Sequence, residues 1–493
     1  MALSPARRWL LLATVAVGLL LITLDNSILY TALPTLTREL HASAMEGLWI
    51  INAYPLVMAG LLLGAGALGD RVGHRLMFLV GLVLFGLASL VAAFSPTAEV
   101  LIGARAFLAV GAAAMMPATL ALIRVTFMDE RERNFAIAIW GSISLIGAAL
   151  GPILGGFLLE QFWWGAVFLV NVPIVVLAFT ATLILAPRVA ADPTKTWDLW
   201  SSVLALVALA AAVFALKELA HAPISFVKVG FATVLAVLAG WVFVSRQQQL
   251  PYPLLDFSIF RNLAFSAGVI AAAMIMFAVA GVQLVTTQRF QLVAGFSAIE
   301  AGLMVSALAI GAIPLALLGG AMLHRIGLRN LVAGGLAFAS VATAATALML
   351  DMGTLWVVVG MTLSGAGLGA AMSVTSTAIM GNAPVHRAGM AASVEEVSYE
   401  FGNLFAVVLL GTGMAALYTA VVVLPSAAPA SASDSIGGAL EYAATLSGGG
   451  SDIVAAARTA FDRSYFVVMM ICAVGLALGA LATAWLLRRY GPG

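Results

Sequence analysis

The chain has 493 residues, of which 63% are hydrophobic and only 9% charged, with a mean hydropathy of +1.09. A soluble globule of this length carries about a quarter charged residues to keep its surface wet, so water is excluded as the main medium around this one and lipid takes its place. The net charge of +1 gives no reason to expect a nucleic-acid partner, and a single cysteine, Cys472, excludes both a disulfide framework and a cysteine metal cluster within the chain.

A spanning helix needs about 20 apolar residues, and fourteen runs meet that need. The first, 9–31, follows Arg7 and Arg8 and is too long for the core of a secretory signal, so it is expected to be retained. It holds Asp25 and leads to Pro34. Runs at 47–68, 77–95, 98–123, 134–158 and 164–186 follow. The turn after the second reads Gly66-Ala-Leu-Gly-Asp70-Arg71-Val-Gly73-His-Arg75. Its glycines permit a sharp turn and close helix approach. Asp70 is placed to accept charge-assisted hydrogen bonds from arginines of a neighbouring element, so Gly66, Asp70, Arg71, Gly73 and Arg75 are a candidate cytoplasmic gate; a positive loop that only fixes topology is the plainer reading. The fourth run contains Arg105. In the fifth, Gly147, Gly151 and Gly155 lie four residues apart and share a face without side chains, while Pro152 removes a backbone donor, which makes this a candidate hinge or simply a close-packing stripe.

Runs at 199–217 and 226–245 come next, then 263–286, 298–323, 330–350, 354–380, 393–423 and 464–487. The turn after 298–323 reads Gly320-Ala-Met-Leu-His324-Arg325-Ile-Gly327-Leu-Arg329, in register with the earlier turn and with His324 in place of Asp70. Equivalence of the two turns makes the protein all-α, with two six-helix bundles and a pair of helices inserted between them. The expected divisions are an N-terminal bundle over 1–187, a linker at 188–198, the inserted pair over 199–245, a second linker at 246–262, a C-terminal bundle over 263–487 and a tail at 488–493. Within the second bundle, 424–462 is an Ala-, Ser- and Gly-rich loop, either spacer or lid, whose stretch 453–461 can form a short helix. Repeated halves around a central site are the architecture of alternating-access transporters. With the N-terminus inside, sixteen of the 23 Lys and Arg fall on the inner side, six, with Lys217 and Lys228 at span ends among them, on the outer side, and Arg105 alone deep within a span. Both termini are therefore expected in the cytoplasm.

Apart from Glu99 and Glu300 at the very ends of their runs, four of the 22 acidic residues lie within spans: Asp25, Glu395, Glu396 and Glu400. An ionised carboxylate at mid-membrane costs roughly 2.5–3.5 kcal/mol on insertion scales, and packing does not require one. Proton or cation binding is the default role. By helical rise Glu400 lies roughly 20 Å beyond Arg387, near the bilayer middle. Glu396 shares its face, and Glu395 points about 100° away. Asp25 and Arg105 fall at similar depth and are expected to interact, directly or through water, Arg105 as a proton-coupling or structural partner; the plainer reading is that Arg105 snorkels outward and Asp25 faces the mouth. Ring faces that could hold a flat cation belong to Tyr30, Tyr54, Trp140 and Tyr399, with Asn52 beside Tyr54 as a further pocket candidate. Trp49 reads as a membrane-interface aromatic.

Several of these segments resemble the major facilitator superfamily, and within it the 14-helix drug:proton antiporters. The 66–75 turn matches the superfamily's cytoplasmic signature. Gly147-Ala-Ala-Leu-Gly151-Pro152-Ile-Leu-Gly155-Gly156 matches the antiporter signature of exporters. Leu24-Asp25-Asn-Ser-Ile-Leu-Tyr-Thr-Ala-Leu33-Pro34, Pro253-Leu-Leu-Asp256 and Ser393-Val-Glu395-Glu396-Val-Ser-Tyr399-Glu400-Phe-Gly402 look like exporters of methyl viologen and quaternary ammonium compounds. Departures are Leu108 and Ala109, where the family commonly has Gln then Gly, and Asn52, where close relatives often carry Asp. The resemblance implies proton-driven efflux of hydrophobic cations (antiseptics, dyes, viologens) from the bacterial inner membrane without a cofactor; the sequence is silent on oligomeric state, and a monomer is the default expectation. No Gly-x-x-x-x-Gly-Lys-Ser/Thr loop is present, so a proton gradient and not ATP is the expected energy source, and no enzymatic role is expected. His41, His74, His221, His324 and His386 are scattered near span ends, so no metal centre is expected. Transport of a neutral or anionic metabolite, antibiotic or lipid is the first alternative. A non-transporting membrane scaffold or sensor is the second.

Overall fold

The computed structural model describes residues 4–187, 197–219, 224–251, 253–382, 388–425, 428–446 and 450–489. Most of the linker 188–198, with Arg188 and Lys195, lies outside the described residues, as do His221, His386, Arg387 and the end of the tail.

The chain is built from helices, and the reason is the lipid: backbone N–H and C=O groups that cannot reach water must bond within their own segment. The fourteen principal helices are α1 (Pro5–Glu39), α2 (Ala44–Val72), α3 (His74–Ala93), α4 (Ala98–Thr126), α5 (Glu130–Gln161), α6 (Ala166–Leu185), α7 (Leu199–Leu219), α8 (Phe226–Gln249), α9 (Leu263–Val293), α10 (Ala298–Ile326), α11 (Leu328–Leu348), α12 (Thr354–Met380), α13 (Met390–Val421) and α14 (Gly450–Leu486). Among the described residues thirteen are long and apolar enough to cross a membrane; α5 supplies the shorter apolar stretch Ile146–Gln161 at the end of a 32-residue helix. Helix ends follow local chemistry. Ser43 with Glu46 and Ser297 with Glu300 form capping boxes that start α2 and α10, satisfying first-turn amides. Gly73 and Gly327 break α2 from α3 and α10 from α11 with φ of 99° and 82°, a conformation open to glycine at no steric cost.

Helix pairing repeats with the sequence. In the first half α1 packs on α5, and α2 and α3 on α4; in the second α9 packs on α13, and α10 and α11 on α12. The halves meet along α5 against α10 and α2 against α13. These two seams are equivalent to each other when the halves are interchanged. Of the inserted pair, α7 packs against α2, and α8 turns Phe226, Phe231, Val237 and Trp241 outward, the surface of a lipid-facing helix.

Two expectations change. The segment 424–462 is not an open loop: it holds helices Ala430–Asp434 and Ile436–Thr445, and 450–462 forms the first turns of α14, because Ile453, Ala457, Ala460 and Phe461 give that stretch a buried face. Lys217 is not a loop residue. It lies in the last turn of α7, 2% exposed, with its ammonium 4.0 Å from the centre of the Trp49 ring. A ring face is the one compensation visible for that buried charge among the described residues.

Candidate functional site

The site begins with helix spacing. Seen from α1, Asp25 falls on the side facing α4 and α6, while Thr23, Ser27 and Ile28 face α5. That second contact is possible because α5 has no side chains there. A Cβ on Gly147 would meet Thr23, one on Gly151 would meet Ser27, and one on Gly155 would lie 3.1 Å from the Ile28 side chain. Ser27 Oγ then donates to the Gly147 carbonyl at 3.0 Å. The opposite side of α5 receives α10: Gly302 sits on the Pro152 carbonyl, Gly156 on the backbone of Ala298 and Ile299, and Ser306 Oγ donates to the Ala149 carbonyl at 2.9 Å. The candidate hinge residues thus hold α5 between the Asp25 helix and the second bundle.

Asp25 and Arg105 touch. Arg105 Nη1 donates to Asp25 Oδ2, and the guanidinium is fully buried. Its fork is used further: Nη2 donates to Asn26 Oδ1 at 3.2 Å and Nε to the Ile50 carbonyl at 3.3 Å, while the charged group sits 4.6 Å from the Tyr54 ring centre. A lysine offers one point charge and could not make this set. The other Asp25 oxygen accepts from Asn171 Nδ2 at 3.0 Å, and the same nitrogen lies 3.3 Å from Ser89 Oγ. Each part of the ion pair is therefore hydrogen-bonded, the condition under which a buried pair is tolerated.

Glu400 comes from the other bundle, on α13. It is 8% exposed, neighbours Asn403, and lies within electrostatic reach of Arg105, Tyr30 and Tyr54. Its Oε2 is buried and has no hydrogen-bond partner among the described residues. Asn52, fully buried, is likewise unpartnered at both amide atoms, as is the Tyr54 hydroxyl. Asp25, Arg105, Tyr30, Tyr54 and Glu400 are thus brought into one region between the bundles. Glu395 is not: its Oε1 accepts from Ser376 Oγ of α12 at 2.6 Å and from the Tyr399 hydroxyl at 3.2 Å. Tyr399 is committed to that contact. Glu396 lies between, within reach of both other acids. Trp140 is buried on α5 with Nε1 unpartnered, and no recorded polar contact ties it to the cluster.

At the 66–75 turn Asp70 is half-exposed and pairs with His74 Nε2 at 3.1 Å. Arg75 Nη2 donates to the Leu183 carbonyl at 2.8 Å, tying the turn to the end of α6. Gly66 would place a Cβ 3.6 Å from Ser393 of α13, so this turn lies beside the seam between the bundles. Sequence reading missed Asn26, Ser89, Asn171, Ser376 and Asn403, because single small polar residues in apolar helices are ordinary packing until a partner is seen. It also missed the π-helical segment Val407–Gly411 in α13, two turns beyond Glu400, for which no residue type is diagnostic.

Comparison with known proteins agrees with this architecture. The Major Facilitator Superfamily model matches residues 15–407. The methyl viologen resistance protein SmvA of Salmonella typhimurium is 36% identical over 484 residues, covering 95% of this chain and 98% of that protein. The multidrug efflux pump LfrA of Mycolicibacterium smegmatis is also 36% identical, over 489 residues, covering 97% and 96%. The tetracenomycin C resistance and export protein of Streptomyces glaucescens is 34% identical, covering 83% and 76%. Among solved structures, a bacterial homologue of the human lysosomal transporter Spinster superposes with a TM-score of 0.70 at 16% identity over 98% of both chains, a likeness of fold. A family match across most of the chain, a shared fold and near full-length relatives named for methyl viologen resistance and multidrug efflux lead to one conclusion: this multi-pass membrane protein belongs to the Major Facilitator Superfamily.

Proposed function

We propose that the chain exports hydrophobic cations (quaternary ammonium compounds, dyes, viologens) in exchange for protons, by alternating access in a bacterial inner membrane with both termini cytoplasmic. The observation that carries this reading is the Glu400 carboxylate, buried between the bundles with one oxygen unpartnered among the described residues and Arg105 within reach. Burial disfavours its charged form, and either a proton or an organic cation relieves that cost. The two guests exclude each other, which is the minimum an antiporter needs. Asp25 and Arg105 form the second ionisable centre, placed so that a change of charge at Glu400 is felt across the seam. Tyr30 and Tyr54 supply ring faces beside it. The names of the methyl viologen and multidrug relatives support the substrate class.

The test is ethidium efflux from proteoliposomes under an imposed pH gradient. The native chain should respond to the gradient, and Glu400→Gln and Asp25→Asn should lose that response. Efflux indifferent to the gradient overturns proton coupling. The tetracenomycin C resistance and export protein among the relatives leaves room for a second reading, transport of a neutral or anionic metabolite, antibiotic or lipid. On that reading Glu400→Gln keeps efflux of the true substrate.

A further inference from the structure

Lys217 is a buried cation with no part in the mechanism so far, and helix register fixes where it sits. α7 runs antiparallel to α2 in close contact: a Cβ on Gly64 would meet Ser202 Oγ, and one on Gly60 would lie 2.8 Å from Leu206 Cβ. Carrying that register on from Gly60 and Leu206 by eleven residues on each helix, about three turns, brings Trp49 opposite Lys217. The ammonium stands 4.0 Å from the ring centre, and the residue is 2% exposed. Its Nζ has no acceptor among the described residues, and the carboxylate next to it in sequence, Glu218, is turned to Lys228 at 3.5 Å. This contact lies on the seam between the bundles. Leu56 of α2, Val213 of α7 and Leu404 and Val408 of α13 form one buried apolar cluster, with Trp49 packed against it. Leu48, the residue before Trp49, lines a cavity on the face away from the chain termini together with Gly411 and Met414 of α13. Glu400 lies about three turns inward along α13 from Gly411, so this end of the seam is on the outward side of the central carboxylate. One turn inward from Trp49, on the same face of α2, Asn52 is fully buried with both amide atoms unpartnered among the described residues.

We propose that the Trp49 ring face is an exit subsite for the exported organic cation and that Lys217 is its built-in competitor, an inference that rests on the cation export proposed above. A ring face attracts any positive charge, so the cost of desolvation decides the occupant. An ammonium brings three N–H donors, and the ring offers no oxygen to accept them, so Lys217 sits there with buried donors unmade. A quaternary or delocalised organic cation carries its charge beneath carbon, is weakly hydrated and has no such donors to strand. It is the better occupant of the same place, and the open amide of Asn52 adds a dipole that can turn towards positive charge. Lys217 lies in the last turn of α7 on a flexible four-carbon stem, which lets its head swing to the water beyond the helix end when a guest arrives. Its return puts two like charges at one ring and expels the guest. The subsite thus holds the cation only briefly on its way out.

The experiment is equilibrium dialysis of tetraphenylphosphonium, a cation without N–H groups, against the purified full-length protein in lipid nanodiscs at a single pH. Lys217→Ala vacates the ring and should tighten binding about tenfold. Lys217→Met removes the charge at nearly constant length, should also tighten binding, and keeps the test open if the alanine variant does not fold. Lys217→Arg keeps a cation on the ring and should stay within about threefold of native. Lys228→Gln removes an exposed charge at the same end and should also stay within about threefold. In a Trp49→Leu background the Lys217 variants should bind no more tightly than Trp49→Leu alone. In a Glu400→Gln background Lys217→Ala should still tighten binding, because the two sites are distinct. Gradient-driven efflux of the same cation by Lys217→Ala should show KM and kcat both lowered, the mark of a guest held too long. The inference is overturned if both Lys217→Ala and Lys217→Met bind as the native chain does or more weakly, if the tightening survives Trp49→Leu, or if Lys228→Gln reproduces it. Those results leave cation export standing. A native protein that neither binds nor moves tetraphenylphosphonium removes the export reading, and this inference with it.

Discussion

Arg105 is the residue on which the N-terminal half of the site is assembled. It links α1 through Asp25 and Asn26 and α2 through the Ile50 carbonyl and the Tyr54 ring, all while fully buried. Removing one member of a buried pair leaves the other charge uncompensated, at a cost of about 3–5 kcal/mol. Arg105→Gln should therefore lower the thermal unfolding temperature in detergent sharply, and adding Asp25→Asn should restore at least half of the loss. Strictly additive losses would mean that the contact is energetically idle. The pair was legible in the sequence because ionisable groups inside apolar runs are rare and helical rise put these two at one depth. Asn171 was not legible. One asparagine in an apolar helix carries no signal of its partner, and only the fold brings α6 against α1.

At the scale of elements, α5 works through what it lacks. An alanine Cβ at Gly151 would lie 2.7 Å from Ser27 Cβ and 3.1 Å from the Ile28 backbone nitrogen, so α1 itself would have to shift. Gly151→Ala should cost about 1–3 kcal/mol of stability by overpacking and suppress efflux, whereas Gly103→Ala, with nothing within 4 Å, should do neither. Equal tolerance of both substitutions in unfolding and efflux assays would remove the stripe from the mechanism. The inserted pair is fastened differently. Arg246 holds Asp198 with bonds of 2.8 and 3.0 Å, Ser201 donates to the same carboxylate at 2.5 Å, and Gln247 joins Ser201 to the amides of Leu254 and Leu255 ahead of α9. Asp198 lies before the first turn of α7, and the Arg246 hydrogen bond holds its carboxyl below the usual range. Its contribution is thus present above the ordinary aspartate value and is lost as pH falls through the lowered one. Asp198→Asn should cost about 1 kcal/mol at neutral pH and nothing in strong acid, read as unfolding midpoints across that range. The repeat that defines the halves was more legible than the turn motif alone suggests. Gly73 and Gly327 are 254 residues apart, and so are the capping serines Ser43 and Ser297 and their glutamates Glu46 and Glu300. The helical start of α14 was hidden because 424–462 is rich in Ala, Ser and Gly, whose composition resembles spacer whether or not it is folded.

For the whole molecule, the pairings of α1 to α5 and of α9 to α13 make two similar bodies, and on the alternating-access cycle proposed above motion between them opens one seam end while the other closes. On the face away from the chain termini the two bodies are joined. The Ile299 amide donates to Glu160 Oε1 at 3.2 Å, Gln291 donates to the Thr31 carbonyl at 2.9 Å, and Gly156 lies against the α10 backbone. Beside the helices of residues 430–445 on the same face is a cavity of about 760 Å³ lined by Glu46, Glu160, Asp434 and Glu441 and also by Arg38 and His41, so acids outnumber bases there, as the proposed export of cations would favour. If export requires this contact to part, a tether across it must stop transport while leaving the fold intact. A Glu160→Cys, Ile299→Cys pair joined by a short thiol-reactive cross-linker should lose gradient-driven ethidium efflux and recover it when a cleavable linker is reduced. Cys472 is buried and should not react under the same treatment. Each single-cysteine variant treated in the same way should keep working, which separates tethering from simple modification. Full efflux from the cross-linked protein would mean that α5 and α10 stay together throughout the cycle, and a path for the cation would then have to exist along α2 and α13 alone.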